Sequence, residues 1–132
     1  MIPIRAPREE AVRSGTGAAP VTASEFGIVR IVADDGCEGV GEISITAPRI
    51  GFSLCYAARN LIAPRLIGLD PLRRTEVLEV VDAALMGELS APYLRAAFEM
   101  ALLDLAGRHF RVTVYELLGG RARDAVPLAW GI

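Results

Sequence analysis

The sequence FGIVRIVADDGCEGVGEISI, residues 26–45, decides how this chain folds. Its first eight residues are rich in Val and Ile and predict a β-strand, and residues 37–45 predict a second strand that returns beside it. Residues 34–36, Asp-Asp-Gly, are typical of a tight turn, because glycine tolerates a positive φ and aspartate bonds its own backbone. Gly39 and Gly41 lie within the returning strand, where the missing side chain lets a neighbouring element approach closely. The stretch therefore predicts an antiparallel hairpin.

Residues 1–20, upstream of the hairpin, are predicted to be largely irregular. Ile2 and Ile4 predict a short strand at an edge of the sheet, because the neighbouring Pro3 and Pro7 cannot donate a backbone hydrogen bond. Residues 13–20, RSGTGAAP, predict a loop, since their two glycines add conformational freedom.

After the hairpin, apolar residues recur with the period of a helix. The first predicted helix runs from Phe52 to about Arg65, where Pro64 should kink or end it, and Gly68 is a plausible C-terminal cap. Its predicted buried face consists of Leu54, Ala58, Leu61 and Ile62. The second helix is predicted to start at Asp70-Pro71, with the aspartate as N-cap, and to carry Leu78, Val81 and Leu85 on one face.

A third helix is predicted from Ser90, a capping residue, to Gly107. Its amphipathic stripe consists of Leu94, Phe98, Ala101 and Leu105. A helical turn at residues 114–118 closes on two glycines, and residues 126–131 predict one more strand. Strands followed by helices indicate an α+β fold, with an N-terminal antiparallel β-meander or hairpin and then a three- to four-helix bundle.

Composition argues against several functional classes. The chain has 132 residues, 52% apolar and 23% charged, which suits one globular domain. Its net charge of −2 provides no attraction for nucleic acid or for an anionic membrane. No apolar run reaches the roughly 18 residues of a membrane span, and no signal peptide is recognisable. The two isolated cysteines are expected to be reduced, and the predicted location is cytoplasmic.

The residues alone specify no catalytic site. Glycine pairs at 15/17 and 39/41 resemble dinucleotide loops, but neither lies between a strand and the helix that it would open. His109, the only histidine, is interpreted as a solvated helix-end side chain, and the chain has no lysine and no GxSxG serine. Glu42 and Asp104 lie in apolar segments and are expected to pair with arginines. Three helical carboxylates are interpreted as a solvated face: Glu76, Glu79 and Asp82.

Four stretches in order carry a family resemblance: residues 31–42, 64–71, 97–107 and 114–120. They include IVADDG followed by GVGE, then PRLIGLDP, AFEMALLDLAG and VYELLGG. Together they resemble the N-terminal domain of the mandelate racemase/muconate lactonizing enzymes of the enolase superfamily, from about Val21 onward. Leu103 stands where that family often has tryptophan, and Thr113 where proline is common.

The resemblance implies a capping domain at residues 1–125 and the start of a C-terminal barrel, its first strand only, at 126–132. Family members remove the proton α to a carboxylate with a lysine or histidine, and Mg²⁺ stabilises the enediolate. Because base and metal ligands belong to later barrel strands, no catalytic residue, metal ligand or bound magnesium is expected in this chain. Two substrate-specificity loops are implied, comprising Arg13, Ser14, Gly15 and Thr16, and Thr46, Ala47, Pro48, Arg49 and Ile50.

The sequence therefore leads to the hypothesis of a specificity cap that is inactive alone. The whole enzyme would be a racemase, epimerase, cycloisomerase or acid-sugar dehydratase, and fold resemblance does not choose among them. The expected partners are the C-terminal barrel domain, a small carboxylate substrate and further copies in a homo-oligomer. The alternative is a non-catalytic, stand-alone domain that acts in self-association, in which a strand at residues 126–132 would be left unpaired.

Overall fold

Three antiparallel strands open the fold. The computed structural model describes residues 1–12, 20–44, 51–87 and 91–128, with the backbone alone at residues 9–12. The sheet has the order β1-β2-β3, with β1 at Ile2–Val12, β2 at Val21–Val32 and β3 at Glu38–Ile43. The predicted hairpin between β2 and β3 is confirmed, because Gly36 has a φ of +82° and Asp35 accepts a hydrogen bond of 2.8 Å from the Cys37 backbone N–H.

The first strand is longer than the sequence indicated. β1 pairs with β2 from Ile2 opposite Ile28 to Pro7 opposite Ala23, and Val12 pairs again opposite Val21. The prediction of a largely irregular start is therefore wrong for residues 2–12. Pairing with β2 outweighs the low strand propensity of this proline-containing segment, as is common for strands.

Both prolines of β1 lie in the register that suits an outer edge. The backbone N–H of Val40 in β3 points away from β2, because it donates to Asp104. Antiparallel alternation and the observed registers then direct the nitrogens of Pro3, Arg5 and Pro7 outward. A proline nitrogen there costs no bond in the ladder, which confirms the edge position expected from the prolines.

At the opposite edge of the sheet, formed by β3, a carboxylate accepts an outward backbone N–H. Asp104 accepts the Val40 N–H at 2.9 Å and forms an ion pair of 3.1 Å with Arg108, which confirms the salt bridge predicted for Asp104. Glu42 is exposed and has no ion-pair partner among the described residues. Strand alternation explains the difference, because Glu42 projects from the sheet face that the helices do not cover.

Helices follow the sheet: α1 Gly51–Ala57, a π-helical turn Ala58–Ile62, α2 Ala63–Leu66, α3 Arg74–Ala84, α4 Ala91–Phe110 and α5 Val114–Leu117. In the π turn, the Ala63 N–H donates to the Ala58 carbonyl, five residues back. The wider turn lies directly before Pro64, which has no N–H to continue the α-helical pattern. The extra residue also turns Leu61 outward, to 44% exposure, so its predicted burial is wrong.

Two helix boundaries differ from the prediction. The Asp70 side chain caps a turn by accepting the Leu72 N–H at 2.9 Å, and α3 starts only at Arg74. In α4, Gly107 does not end the helix, which continues to Phe110 and stops where Arg111 takes a φ of +58°. The predicted cap Ser90 lies outside the described residues. In both cases local hydrogen bonding and packing, rather than residue type, set the boundary.

The core lies between the sheet and α4. The predicted stripe of α4, Leu94, Phe98, Ala101 and Leu105, is at most 2% exposed. Gly39 and Gly41 explain how close the helix lies, since a Cβ built on them would stand 2.0 Å from the Ala101 carbonyl oxygen and 1.9 Å from that of Ala97. The close approach predicted for the two glycines is confirmed.

The chain beyond α5 has no regular structure in its described part. Residues 126–128 form no strand, and residues 129–132 lie outside the described residues. A strand needs a neighbour for its backbone hydrogen bonds, so the assignment of residues 126–132 to a barrel stays a prediction. No helix of the described residues is long and apolar enough to cross a membrane.

Candidate functional site

The two segments predicted to form specificity loops leave the sheet at the same end. The first connects Val12 of β1 to Val21 of β2, which are paired. The second follows β3, whose last residue, Ile43, is level with Gly27 of β2 and whose direction is towards that same end. Nine predicted site residues lie outside the described residues: Arg13, Ser14, Gly15, Thr16, Thr46, Ala47, Pro48, Arg49 and Ile50. The structure therefore places the anchors of both loops, but not the loop residues themselves.

The second loop ends on a close backbone contact with β2. Gly51, the first residue of α1, is buried against Glu25, and a Cβ on it would lie 2.5 Å from the Glu25 carbonyl oxygen. The next residue, Phe52, donates its N–H towards Glu25 Oε2 at 3.4 Å. Only glycine fits at position 51 without a shift, so the start of α1 is fixed against the sheet.

The same short piece of β2 thus holds both loops. The first loop joins β2 next to Val21, and the second returns at Glu25, four residues further on and about 13 Å along the strand. Because one rigid strand carries both anchors, a shift of either anchor changes the spacing between the loops. This coupling could not be read from the sequence, where Glu25 and Gly51 are 26 positions apart.

Two aromatic side chains stand beside these anchors. Phe52 and Tyr56 are one turn apart on α1 and are 41% and 72% exposed. Sequence reasoning did not single them out, although their position outside the buried stripe of Leu54 and Ala58 was a usable signal. An exposed aromatic pair next to a loop can contact an apolar or planar part of a ligand, or a neighbouring domain.

The cysteine at this end is not a candidate nucleophile. Cys55 is 7% exposed, and its Sγ lies 3.9 Å from the Phe26 carbonyl oxygen. Burial raises the pKa of the Cys55 thiol, so the unreactive protonated form is favoured. Both cysteines are free, as predicted, and Cys37 is half-buried at the other end of the sheet.

The helical carboxylates form ion pairs on the surface. Arg95 bridges Asp82 and Glu99 at 3.0 and 2.7 Å, and the hydrogen bond that Arg95 donates to Asp82 is the largest cause of the raised pKa of Arg95. Glu76 pairs with Arg73. These contacts agree with a solvated face. Among the residues that the structure describes, no group of three His, Cys, Asp or Glu side chains could hold a metal ion.

A groove of about 920 Å³ lies at the far end of the sheet. It is lined by Asp34, Asp35, His109 and residues 66–72. His109 Nδ1 is 3.6 Å from Asp35 Oδ2, and its ring packs edge-on against Phe110. The histidine is 38% exposed at the end of α4, as interpreted from the sequence. The groove lining begins at Val29 of β2, about 13 Å along the strand from the anchor at Glu25 and about 26 Å from the anchor at Val21, so the groove is not part of the candidate site.

A three-stranded antiparallel sheet with helices on one face defines the class of this chain, a small α+β domain. The sequence pattern described as "Mandelate racemase / muconate lactonizing enzyme, N-terminal domain" matches residues 5–119. The chain therefore belongs to the mandelate racemase/muconate lactonizing enzyme family of the enolase superfamily and corresponds to its N-terminal, capping domain.

Curated relatives carry out different reactions. The chain is 38% identical over 108 residues to a chloromuconate cycloisomerase of Cupriavidus pinatubonensis, with 78% of this chain and 28% of the relative covered. It is 38% identical over 105 residues to a cis-3-hydroxy-L-proline dehydratase of Roseibium aggregatum, with 76% and 28% covered. The chain thus spans somewhat more than a quarter of the length of these relatives.

A solved structure shares the fold. A protein of the mandelate racemase/muconate lactonizing type from Roseovarius nubinhibens ISM, solved with magnesium, superposes with a TM-score of 0.76 and 26% sequence identity. The match covers 96% of this chain and 34% of that one. The predicted α+β capping fold is confirmed by the family match and by the observed three-stranded sheet followed by helices.

Proposed function

We propose that this chain caps the active site of a magnesium-dependent enzyme that removes the proton α to a substrate carboxylate. The two loops at residues 13–16 and 46–50 contact the substrate and select its side chain. One observation carries the proposal: the anchors of both predicted loops lie at one end of the sheet, within the five residues of β2 from Val21 to Glu25. Loops held on a rigid scaffold are suited to ligand selection and to the exclusion of water.

The proposed catalytic groups lie outside the described residues. The described part of the chain has no cluster suited to Mg²⁺, and the whole chain has no lysine. In this proposal a C-terminal barrel domain supplies the metal ligands and the base at the ends of its strands, as the family resemblance implies. Bound there, Mg²⁺ supplies stabilisation of the enediolate charge. The described residues contribute the shape of the cap.

An apolar surface near the C-terminal end is suited to the barrel. Six apolar side chains of α5 and the following segment are between 37% and 95% exposed: Val114, Tyr115, Leu117, Leu118, Val126 and Leu128. A group of this size is unusual on the free surface of a small domain. Because it adjoins the chain that would lead into the barrel, the barrel domain is the occupant that fits it best.

The same surface also favours the alternative of self-association without catalysis. The mass of the full-length polypeptide that the gene encodes distinguishes the two proposals. A mass near three times the 14.1 kDa of this chain is expected if a barrel follows. A mass of 14.1 kDa would contradict the catalytic proposal and leave self-association.

The catalytic test measures exchange of the α-proton for deuterium by NMR in the full-length polypeptide with Mg²⁺. The panel contains muconolactones, 3-hydroxyproline, sugar acids and 2-hydroxy acids. We expect exchange with one class of acid, and a KM raised about tenfold or more by Arg13→Ala or Arg49→Ala, since a charged pair to a carboxylate is lost. Arg65→Ala is the matched control, because Arg65 is an exposed arginine on α2, and it should leave KM unchanged. Absence of exchange with every acid would contradict the proposal.

A further inference from the structure

The outer strand β3 presents backbone donors on its free side. β3, Glu38–Ile43, ends the order β1-β2-β3 and has no further strand beside it among the described residues. The observed register and antiparallel alternation direct the N–H groups of Glu38, Val40 and Glu42 away from β2. Such a row of donors is a place where a strand of another molecule can extend a sheet. A native fold is expected to carry a feature that closes this edge.

The two outer strands differ in how their edges are closed. On β1, the outward positions 3 and 7 are prolines, which have no N–H to donate. β3, with the sequence EGVGEI, contains no proline. Its central outward donor, the Val40 N–H, is instead bound by a side chain of α4, Asp104. Closure of the β3 edge therefore depends on a tertiary contact.

The Asp104 carboxylate is a strong acceptor for the Val40 donor. Asp104 Oδ2 accepts the Val40 N–H at 2.9 Å. Arg108, about one turn further along α4, donates to both oxygens of the same carboxylate at 3.1 Å. A hydrogen bond to an ionised acceptor is stronger than one to a neutral carbonyl oxygen, which is the acceptor that an added strand would bring. A second strand would therefore have to displace a stronger acceptor than its own.

The position of Asp104 at the edge is set by packing in the core. α4 lies in backbone contact with β3, because a Cβ on Gly39 would stand 2.0 Å from the Ala101 carbonyl oxygen. Asp104 follows Ala101 by slightly less than one helical turn and so lies along this line of contact. Its side chain is 30% exposed, whereas that of Arg108 is 58% exposed. Buried contacts of α4 thus hold the carboxylate at the strand.

We infer that Asp104, held by Arg108, is an autoinhibitory contact that prevents β3 from pairing with the β3 strand of a second copy of this chain. Without the contact, two β3 strands can pair antiparallel about Val40, in a two-fold arrangement that uses the same edge twice. The Val40 N–H of each copy then donates to the Val40 carbonyl oxygen of the other. The inference is independent of the proposed reaction, because it uses no loop residue.

The charges on β3 permit the pairing that Asp104 blocks. With Val40 of the two copies opposite each other, Glu42 of one copy lies opposite Glu38 of the other. Glu38 is already bound to Arg30 at 2.5 Å, so Glu42 meets a compensated ion pair rather than a second bare carboxylate. Among the described residues, the Asp104 contact is therefore the main obstacle to pairing.

The test compares hydrogen exchange of the Val40 amide with assembly of the full-length polypeptide. In dilute solution, Asp104→Ala should accelerate exchange at Val40 about tenfold or more, since a hydrogen bond to a charged acceptor is lost. With rising protein concentration, sedimentation velocity should detect assemblies larger than those of the unsubstituted protein, and Val40 should become protected again. A contact that only stabilises the fold would give fast exchange at every concentration, and that result would overturn the inference.

Two matched substitutions separate the block from a general loss of charge. Asp82→Ala removes another ion-paired helical carboxylate, 3.0 Å from Arg95 and 51% exposed, and should change neither assembly nor exchange at Val40. Asp104→Asn keeps an acceptor oxygen for the Val40 N–H and should assemble much less than Asp104→Ala. Equal assembly of Asp82→Ala and Asp104→Ala would contradict the inference.

A double substitution covers the case in which Asp104→Ala aggregates through partial unfolding. Val40→Pro removes the outward donor itself, as the prolines of β1 do on the other edge. Added to Asp104→Ala, it should return the assembly state to that of the unsubstituted protein, because no central donor remains for a second strand. Persistence of the large assemblies in the double variant would show that they form elsewhere and would reject the inference.

Discussion

Substitution of Gly51 by alanine tests whether the anchor of the second loop controls the proposed active site. The added Cβ would lie 2.5 Å from the backbone oxygen of Glu25 and 2.7 Å from its carbonyl carbon. Ordinary contacts begin at 3.4 Å, so the start of α1 has to retreat from β2 by the difference, about 0.9 Å. Both partners are backbone, and rotation of a side chain cannot relieve the contact.

Two magnitudes follow from this displacement. Overpacking of a close contact costs about 1–3 kcal/mol of unfolding free energy. A misplacement of about 1 Å at a site that positions a substrate can lower the rate by up to about 10²-fold. We therefore expect Gly51→Ala to reduce kcat/KM of the full-length enzyme ten- to hundredfold, because the second loop moves relative to the first.

The assay combines steady-state kinetics with hydrogen exchange of residues 51–57. Gly68→Ala is the control, since Gly68 has a φ of +84° and no atom within 4 Å of a built Cβ. Gly68→Ala should lower the free energy of unfolding by about 1–2 kcal/mol through backbone strain and should leave kcat/KM unchanged. Unchanged kcat/KM and unchanged exchange in Gly51→Ala would refute the argument. If kcat/KM fell equally in both variants, the loss in Gly51→Ala would be due to reduced stability and not to a displaced loop.

Three further predictions concern stability. Gly41→Ala puts a Cβ 1.9 Å from the Ala97 carbonyl oxygen, so α4 must move, and urea unfolding should show a loss of at least about 1–3 kcal/mol. Phe98→Ala empties a site that is 2% exposed and should cost about 3–5 kcal/mol in the same measurement, whereas a loss under 1 kcal/mol would contradict its place in the core. The pKa of Glu116 is lowered from its usual 4.5, first by the backbone N–H of Thr113 and then by its hydroxyl. The Glu116 carboxylate therefore stabilises the start of α5 above pH 4.5, and this stabilisation is lost as the pH falls through the lowered pKa. Hydrogen exchange of α5 should increase on acidification, and Glu116→Gln should reduce this pH dependence.

Much of the fold was predictable because it depends on local patterns. The Asp-Asp-Gly turn, the alternation of β2 and the buried stripe of α4 each follow from neighbouring residues and a fixed period. Gly39 and Gly41 predicted that another element lies close to β3, and the structure identifies that element as α4. The family resemblance named the two loops, but the placement of their nine predicted residues remains a prediction.

The sequence by itself determined the hairpin, the helical stripes and the absence of a lysine base, because each depends on residue type and spacing alone. Only the tertiary structure decided the length of β1, since its prolines are tolerated by the register that turns their nitrogens outward. It also decided that Asp104 accepts the Val40 N–H and that Gly51 packs against Glu25. The physical reason is that these features join residues far apart in the chain, and no local period encodes which distant backbone a given residue will meet.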